Sequence, residues 1–265
     1  MFEKRFYYLI KFQYLGFRYH GWQKQPDVIT VQRMIERTLA YVLEHKNFKI
    51  LASGRTDAKV SVQQSYFELF LKDEDIDGDL FLDTFNANLP QDIRALSIKK
   101  VDKAFNIMDA PVEKEYLYIF AHGSKNHPFA APFMVTIPEQ LNIKAIQKAV
   151  QLFEGTHDFK SYTYKPKIGT QTIGTIKKAE VVVNDLYTAS FFPTESFIFR
   201  VVGKGFKRHQ VRLMMGALID IGLKSIDQDF IRRTLDPEKY SIKLERIAPS
   251  SGLILQRVIL DKDYE

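Results

Sequence analysis

The stretch RFYYLIKFQY, residues 5–14, decides the fold, because apolar and polar residues alternate along it. An apolar side chain at every second position is typical of a β-strand with one face against a core. The residues of that face are Phe6, Tyr8, Ile10, Phe12 and Tyr14. A segment with Gly16, Gly21 and Pro26 follows and predicts a turn-rich connection.

The rest of the first hundred residues predicts one complete supersecondary unit. An apolar stripe at helical spacing covers residues 31–45, with Thr30 as a candidate N-cap, and a weaker helix covers residues 80–87, with Asp79 as a candidate N-cap. Further strands are expected at residues 48–52, 62–70 and 93–101. The order β-α-β-β-α-β is the split βαβ pattern of ferredoxin-like folds.

The second half predicts the same order. Strands are expected at residues 115–121, 173–184, 197–203 and 253–260, and helices at residues 142–153, 208–221 and 228–234. We therefore predict an α+β fold of two ferredoxin-like halves, residues 1–104 and 105–265, that share a mainly antiparallel sheet. No stretch rich in Pro, Gly and Ser separates the halves, so tight packing is expected.

Composition excludes several classes of chemistry. The chain has no cysteine, which removes disulfides, thiolate zinc sites and cysteine nucleophiles. The six histidines are scattered and no Gly-rich phosphate loop occurs, so neither a metal nor a cofactor is expected. No apolar run is long enough for a bilayer, and the N-terminus resembles a strand more than a signal peptide. We expect a cytoplasmic protein without a membrane partner.

The charge pattern favours a polyanionic partner. The net charge is +6 and the pI about 9.2, which alone is equally compatible with an ordinary basic protein. Residues 159–179 contain no acidic residue, and Tyr162 and Tyr164 lie among their lysines, which include Lys165 and Lys167. Lysines bind phosphates and aromatic rings stack on bases, so this mixture suits RNA; a solvated lysine-rich loop is the alternative. The cleft between the two halves is the expected RNA site.

A second basic cluster precedes the helix predicted at residues 208–221. It consists of Lys204, Lys207, Arg208 and His209. The free N–H groups of a helix N-terminus also favour phosphate. An exposed basic turn without a ligand explains the cluster equally well.

Four further residues could carry chemistry. Asp57 and Arg55 lie in the loop of residues 54–58, GRTDA, although a tight turn that satisfies Asp57 locally is the stronger interpretation of spacing alone. Arg212 enters an apolar helix, and a buried guanidinium needs a carboxylate, for which Asp57 is a candidate. A purely structural ion pair and an arginine that reaches solvent are the alternatives. Tyr116 either packs in the core or faces a cleft.

Seven segments, in order along nearly the whole chain, resemble the bacterial tRNA pseudouridine synthase A family. They are YLGFRYHGWQKQ (14–25) with Val31 and Gln32, GRTDA (54–58), NANLPQDI (86–93), KEYLY (114–118), FEGTHDF (153–159), Val211 and Arg212 with Gly216 and Gly222, and Gly252 with Leu253. The resemblance implies a cofactor-free isomerase that converts uridine to pseudouridine in the tRNA anticodon stem-loop and acts as a homodimer.

The resemblance also implies roles for individual residues. Asp57 is implied to be the catalytic carboxylate, and Arg55 to help displace the target base. Tyr116 is implied to pack against the uracil or to move a proton, and Arg212 to pair with Asp57. Lys204, Lys207, Arg208, His209, Lys165 and Lys167 remain the expected RNA contacts.

The chain also departs from the family pattern. Lys59, Val60 and Ser61 stand where glycine, valine and histidine are usual, residues 105–108 read FNIM, and Gln210 replaces a usual methionine. These changes leave the implied catalytic residues intact but concern RNA contacts. Two alternatives therefore stay open: the same isomerisation on another structured RNA, and a non-catalytic RNA-binding protein on the same scaffold.

Overall fold

The structure is a computed structural model that describes residues 5–72 and 75–261. The chain forms two compact units. The first comprises Met1–Val112 and Leu255–Glu265, and the second comprises Glu113–Ile254. Residues 255–261 thus belong to the first unit, which the hydrophobic periodicity of the sequence does not predict. The sequence-based division into halves of residues 1–104 and 105–265 stays a prediction.

In the first unit, an antiparallel sheet is built around the strand quoted above. Its elements are β1 (Arg5–Tyr14), α1 (Val31–Val42), β2 (Phe48–Ala52), β3 (Ser61–Lys72), α2 (Gly78–Asn88) and β4 (Ile93–Val101). β1 lies between β3 and β4 and is antiparallel to both, while β2 is antiparallel to β3. The predicted β-α-β-β-α-β order of this half is confirmed.

In the second unit, pairing is again mainly antiparallel. Its elements are β5 (Pro111–His122), β6 (Val135–Ile137), α3 (Ile143–Ala149), β7 (Gly155–Asp158), β8 (Ile173–Val183), β9 (Phe197–Gly203), α4 (Gln210–Gly222) and α5 (Gln228–Thr234). The last strand, β10 (Leu253–Leu260), begins in this unit, and its residues from Leu255 onward belong to the first unit. β9 is antiparallel to β5 and β8, and β7 to β8, whereas β6 is parallel to β5. The predicted α+β class with a mainly antiparallel sheet is confirmed.

Some local predictions were wrong. Asp77, not Asp79, caps α2, because its side chain accepts hydrogen bonds from Asp79 N and Leu80 N. The helix expected at residues 142–153 is α-helical only to Ala149 and then tightens into a 3₁₀ turn at Val150–Phe153. The short strands β6 and β7 were not predicted, because three or four residues carry too little periodicity.

Helix α4 forms the centre of the second unit. Every residue of α4 except Arg212 and Asp220 is buried, as its apolar sequence predicts. The irregular segment before β10 lies along it: Arg246 Nε donates to Asp220 Oδ1 at 2.6 Å, and Arg212 Nε donates to the Ala248 carbonyl at 2.8 Å. A Cβ on Gly216 would lie 2.1 Å from the Arg246 carbonyl oxygen, so only glycine permits this approach.

We predict that Gly216→Ala destabilises the protein. Alanine in place of a helical glycine normally adds roughly 1 kcal/mol of stability. Here the added methyl group would overlap backbone, and overpacking of this kind costs about 1–3 kcal/mol. Thermal unfolding should therefore show a lower Tm. Gly205→Ala is the control, since a Cβ there meets nothing within 4 Å; a Gly216→Ala protein as stable as this control would contradict the packing described.

Candidate functional site

The loop that carries Asp57 is a tight turn between β2 and β3. Val60 N–H donates to the Asp57 carbonyl at 3.3 Å, so Asp57 begins the turn and Val60 ends it. Lys59, the third residue of the turn, has φ +65°, a value that favours glycine or asparagine. Arg55 is exposed and Asp57 is half-buried. The turn therefore fixes the backbone of Asp57 and leaves part of its side chain accessible.

The segment that leaves β1 holds this loop through four hydrogen bonds. Trp22 N–H donates to the Thr56 carbonyl at 3.2 Å, and Lys59 N–H donates to the Tyr19 carbonyl at 2.9 Å. Two side chains add to the attachment, with Tyr14 Oη 2.7 Å from Thr56 Oγ1 and Ser61 Oγ accepting from Gly16 N–H at 2.9 Å. Residues on both sides of Asp57 are thus tied to one neighbouring segment.

Two glycines allow the segment to approach the loop so closely. A Cβ on Gly16 would lie 2.0 Å from the Val60 carbonyl oxygen. A Cβ on Gly21, which has φ +88°, would lie 2.6 Å from the Thr56 carbonyl oxygen. Both atoms are backbone and cannot move aside, so the turn-rich composition of this segment has a structural cause: backbone packs directly on backbone.

Asp92, in the connection between α2 and β4, fixes the same segment from its other side. Tyr19 Oη donates to Asp92 Oδ1 at 2.6 Å, and Arg18 Nη2 donates to the same oxygen at 2.8 Å. Burial, the largest influence, raises the pKa of Asp92, but the hydrogen bonds from Arg18 and Tyr19 together lower it below its ordinary value. Tyr19 itself is buried, and burial raises the pKa of its phenol. The carboxylate therefore remains charged and pins Tyr19, whose carbonyl holds Lys59.

The second unit contains Tyr116 and Arg212. Tyr116 is half-buried on β5, and its ring meets Phe206 edge-on at 5.1 Å between centroids. Tyr118 and Phe120, on the same strand face, are fully buried, so among the three aromatics only Tyr116 is partly accessible. Arg212 is half-buried rather than enclosed, and Ala248 N–H donates to its carbonyl at 3.1 Å. Because Asp57 lies in the other compact unit, its pairing with Arg212 stays a prediction.

Several residues of the predicted basic surface pack around the ring of Tyr164. The His209 ring stacks on Tyr164 with centroids 4.5 Å apart. Arg208 Cζ lies 5.0 Å and Lys165 Nζ 5.3 Å from the centre of the same ring. The Tyr164 N–H also donates to the Arg208 carbonyl at 2.9 Å. The two basic stretches found in the sequence thus meet around one aromatic ring.

The other predicted RNA contacts are not part of this contact set. Lys204 and Lys167 are exposed, and Lys207 is half-buried with its N–H bonded to Gln210 Oε1 at 2.7 Å. Tyr162 is fully buried and its hydroxyl lies 2.6 Å from Thr234 Oγ1. Proposing Tyr162 as a base-stacking partner was therefore wrong: the alternation with lysines does not reveal which of the two tyrosines faces the core.

Sequence reasoning missed the cluster of Arg18, Tyr19 and Asp92. Arg18 and Asp92 are 74 positions apart, and no local pattern connects them. Within residues 5–72 and 75–261, no group of three or more His, Cys, Asp or Glu residues could hold a metal ion. In that same part of the chain, no helix is both long and apolar enough to cross a membrane.

Comparisons with known proteins identify similar chains of one class. A family model described as tRNA pseudouridine synthase matches residues 149–261. The tRNA pseudouridine synthase A of Exiguobacterium sibiricum is 33% identical over 93% of this chain and 93% of that protein. The enzyme of the same name from Aquifex aeolicus is 28% identical over 96% of this chain and 99% of its own length.

The class is therefore that of the tRNA pseudouridine synthases, isomerases that convert uridine in tRNA to pseudouridine. Within that class, the chain belongs to the tRNA pseudouridine synthase A family. The similarity extends over nearly the full length of both chains, so it includes the Asp57 loop as well as the region matched by the family model.

We predict that Asp92→Asn flattens the acid limb of the stability curve. A carboxyl whose pKa is lowered by folding contributes stability above its unfolded pKa of about 3.9, and this is lost as pH falls through the lower folded value. The Tm of the wild type should thus drop more steeply between pH 5 and pH 3 than that of Asp92→Asn. Asp83→Asn is the control, because Asp83 is an exposed residue of α2. Parallel Tm curves for wild type and Asp92→Asn would contradict the pinning role.

Proposed function

We propose that this chain isomerises uridine to pseudouridine in the anticodon stem-loop of tRNA, with Asp57 as the catalytic carboxylate. The observation that carries the proposal is the geometry of the Asp57 loop. Four hydrogen bonds and two obligatory glycines hold the backbone on both sides of Asp57, while its side chain remains partly accessible. A catalytic group needs this combination of fixed position and access.

The reaction rearranges one nucleoside without any net change in composition. The target uridine first leaves its stack, at a cost of roughly a few kcal/mol, so that its glycosidic bond is exposed. Asp57 promotes cleavage of the bond between ribose C1′ and uracil N1. The uracil turns in place and bonds to C1′ through C5; C5 loses a proton and N1 gains one. The product is an isomer of the substrate, so atoms and electrons balance without a further reactant.

Arg212 and Tyr116 are proposed to support Asp57. A guanidinium next to a carboxylate stabilises the charged form of the carboxylate. Ala248 bonds both the side chain and the backbone of Arg212: its carbonyl accepts from Arg212 Nε, and its N–H donates to the Arg212 carbonyl. This suits a residue that must present its charge in one direction. Tyr116 keeps an accessible ring held edge-on by Phe206, which suits contact with a base.

The cluster around Tyr164 is proposed to bind the RNA backbone and an unstacked base. Three cationic or titratable side chains, Lys165, Arg208 and His209, surround one partly accessible ring, a combination that phosphates and bases both favour. Lys204, Lys207 and Lys167 extend the positive surface, and Arg55 helps displace the target base. We further propose that the protein acts in the cytoplasm as a homodimer, with tRNA reaching both subunits.

Asp57→Asn should abolish turnover. The amide keeps the size of the carboxylate but lacks its charge, so cleavage of the glycosidic bond loses its promoter. The measurement is tritium release from tRNA labelled at uridine C5, and we expect a loss of at least about 1,000-fold with tRNA binding retained. Asp27→Asn, in an exposed turn of the same unit, is the control. Near-normal tritium release by Asp57→Asn would refute the proposed function.

Arg212→Met should lower kcat/KM more than Arg212→Lys does. Methionine removes the positive charge that is proposed to stabilise ionised Asp57, whereas lysine keeps the charge without the planar fork of the guanidinium. Both variants are assayed by tritium release from C5-labelled tRNA at one pH. An equal loss in the two variants would show that the charge of Arg212 does not act on Asp57.

A further inference from the structure

One strained residue directly follows the catalytic loop. Among residues 5–72 and 75–261, six residues other than glycine have positive φ: Asp27, Glu44, Lys59, Lys165, His209 and Lys224. Glu44 and Lys224 directly follow the C-caps Leu43 and Leu223, where a left-handed residue is the usual end of a helix. Lys59 has no such explanation, because it lies in the turn that Asp57 begins. A bulky side chain is thus retained at a position where the backbone favours glycine.

The turn holds Lys59 in this conformation from both sides. Its N–H donates to the Tyr19 carbonyl at 2.9 Å, and its carbonyl group packs closely on Gly16, where an added Cβ would lie 3.0 Å from the Lys59 carbonyl carbon. The backbone therefore cannot relax toward negative φ without loss of the contacts that position Asp57. Because the positive φ at this position favours glycine, any contribution of Lys59 must come from its side chain.

The side chain places a positive charge over an accessible aromatic ring. Lys59 Nζ lies 5.5 Å from the centre of the Phe17 ring, and both residues are exposed. Within residues 5–72 and 75–261, no ion pair with a carboxylate neutralises Lys59. The same arrangement occurs in the second unit, where Lys165, also at positive φ, lies 5.3 Å from the Tyr164 ring. Each unit thus presents a left-handed lysine above an exposed or half-exposed aromatic.

We infer that Lys59 binds a backbone phosphate of the substrate RNA next to the displaced uridine, with Phe17 supporting its ammonium group. Lys59 lies two residues after Asp57, so a phosphate bound there belongs to the target nucleotide or its immediate neighbour. A compact ammonium suits a phosphate oxygen as a point charge. This inference rests on the proposed function and deepens it, because it assigns an RNA contact to the catalytic loop itself.

The test separates the charge of Lys59 from its backbone strain. Lys59→Gly and Lys59→Asn remove the charge with residues that tolerate positive φ, whereas Lys59→Arg keeps the charge. Lys224→Gly is the matched control, because it makes the same change in charge and relieves the same conformation at a helix end. All proteins are assayed by tritium release from C5-labelled tRNA over a range of salt concentrations, and their Tm values are compared.

We expect kcat/KM of Lys59→Gly and Lys59→Asn to fall about three- to tenfold, and the slope of log kcat/KM against log salt concentration to become shallower by about 0.7 to 0.9, the value of one phosphate contact. Lys59→Arg and Lys224→Gly should follow the wild type. The Tm of Lys59→Gly should equal or exceed that of the wild type, which excludes misfolding as the cause.

Two outcomes would overturn the inference. One is a Lys59→Gly protein with the kcat/KM and salt slope of Lys224→Gly. The other is an equal loss in Lys59→Arg, which would assign the effect to side-chain shape rather than charge. Failure of the proposed function is seen elsewhere, as turnover by Asp57→Asn, so the two failures are distinguishable.

Discussion

Two backbone hydrogen bonds, from Trp22 to the Thr56 carbonyl and from Lys59 to the Tyr19 carbonyl, join the segment after β1 to the loop that carries Asp57. These hydrogen bonds require the two backbones to pack directly against each other. This explains why positions 16 and 21 are occupied by glycine. Loops are ordinarily the most mobile part of a fold. Here the loop gains its rigidity from a second loop, which Asp92 in turn fixes through Tyr19.

How far the sequence predicts this structure depends on the distance over which each signal acts. The alternation of residues 5–14 and the apolar surface of α4 are local, and both were confirmed. The place of residues 255–261 in the first unit and the contact between Arg18 and Asp92 depend on the folded topology, so no local sequence pattern predicts them. The Asp57 loop lies between these cases: its composition predicts a turn, but only the structure shows what holds the turn.

The basic residues illustrate the same limit. A net charge of +6 predicts a polyanionic partner without showing which cations are available to it. Lys177 and Lys178, in the lysine-rich stretch, pair with Glu113 and Glu180 at 2.7 Å. Lys165 and Arg208 instead lie over Tyr164. Ion pairs between exposed groups are weak, so paired lysines can still contribute to the long-range field, but the contacts with RNA should concentrate where cations and aromatic rings occur together.

Strain and charge are therefore connected in this molecule. A left-handed residue that ends a helix satisfies otherwise unpaired carbonyls, so its conformation has a local benefit. Lys59 and Lys165 have no helix end to complete, yet each carries its ammonium group over an aromatic ring. Strained backbone tends to occur where a function depends on the geometry it creates. Since a left-handed residue directs its side chain differently from its neighbours, this conformation directs a cation outward from a turn whose first residue, Asp57, is the proposed catalytic carboxylate.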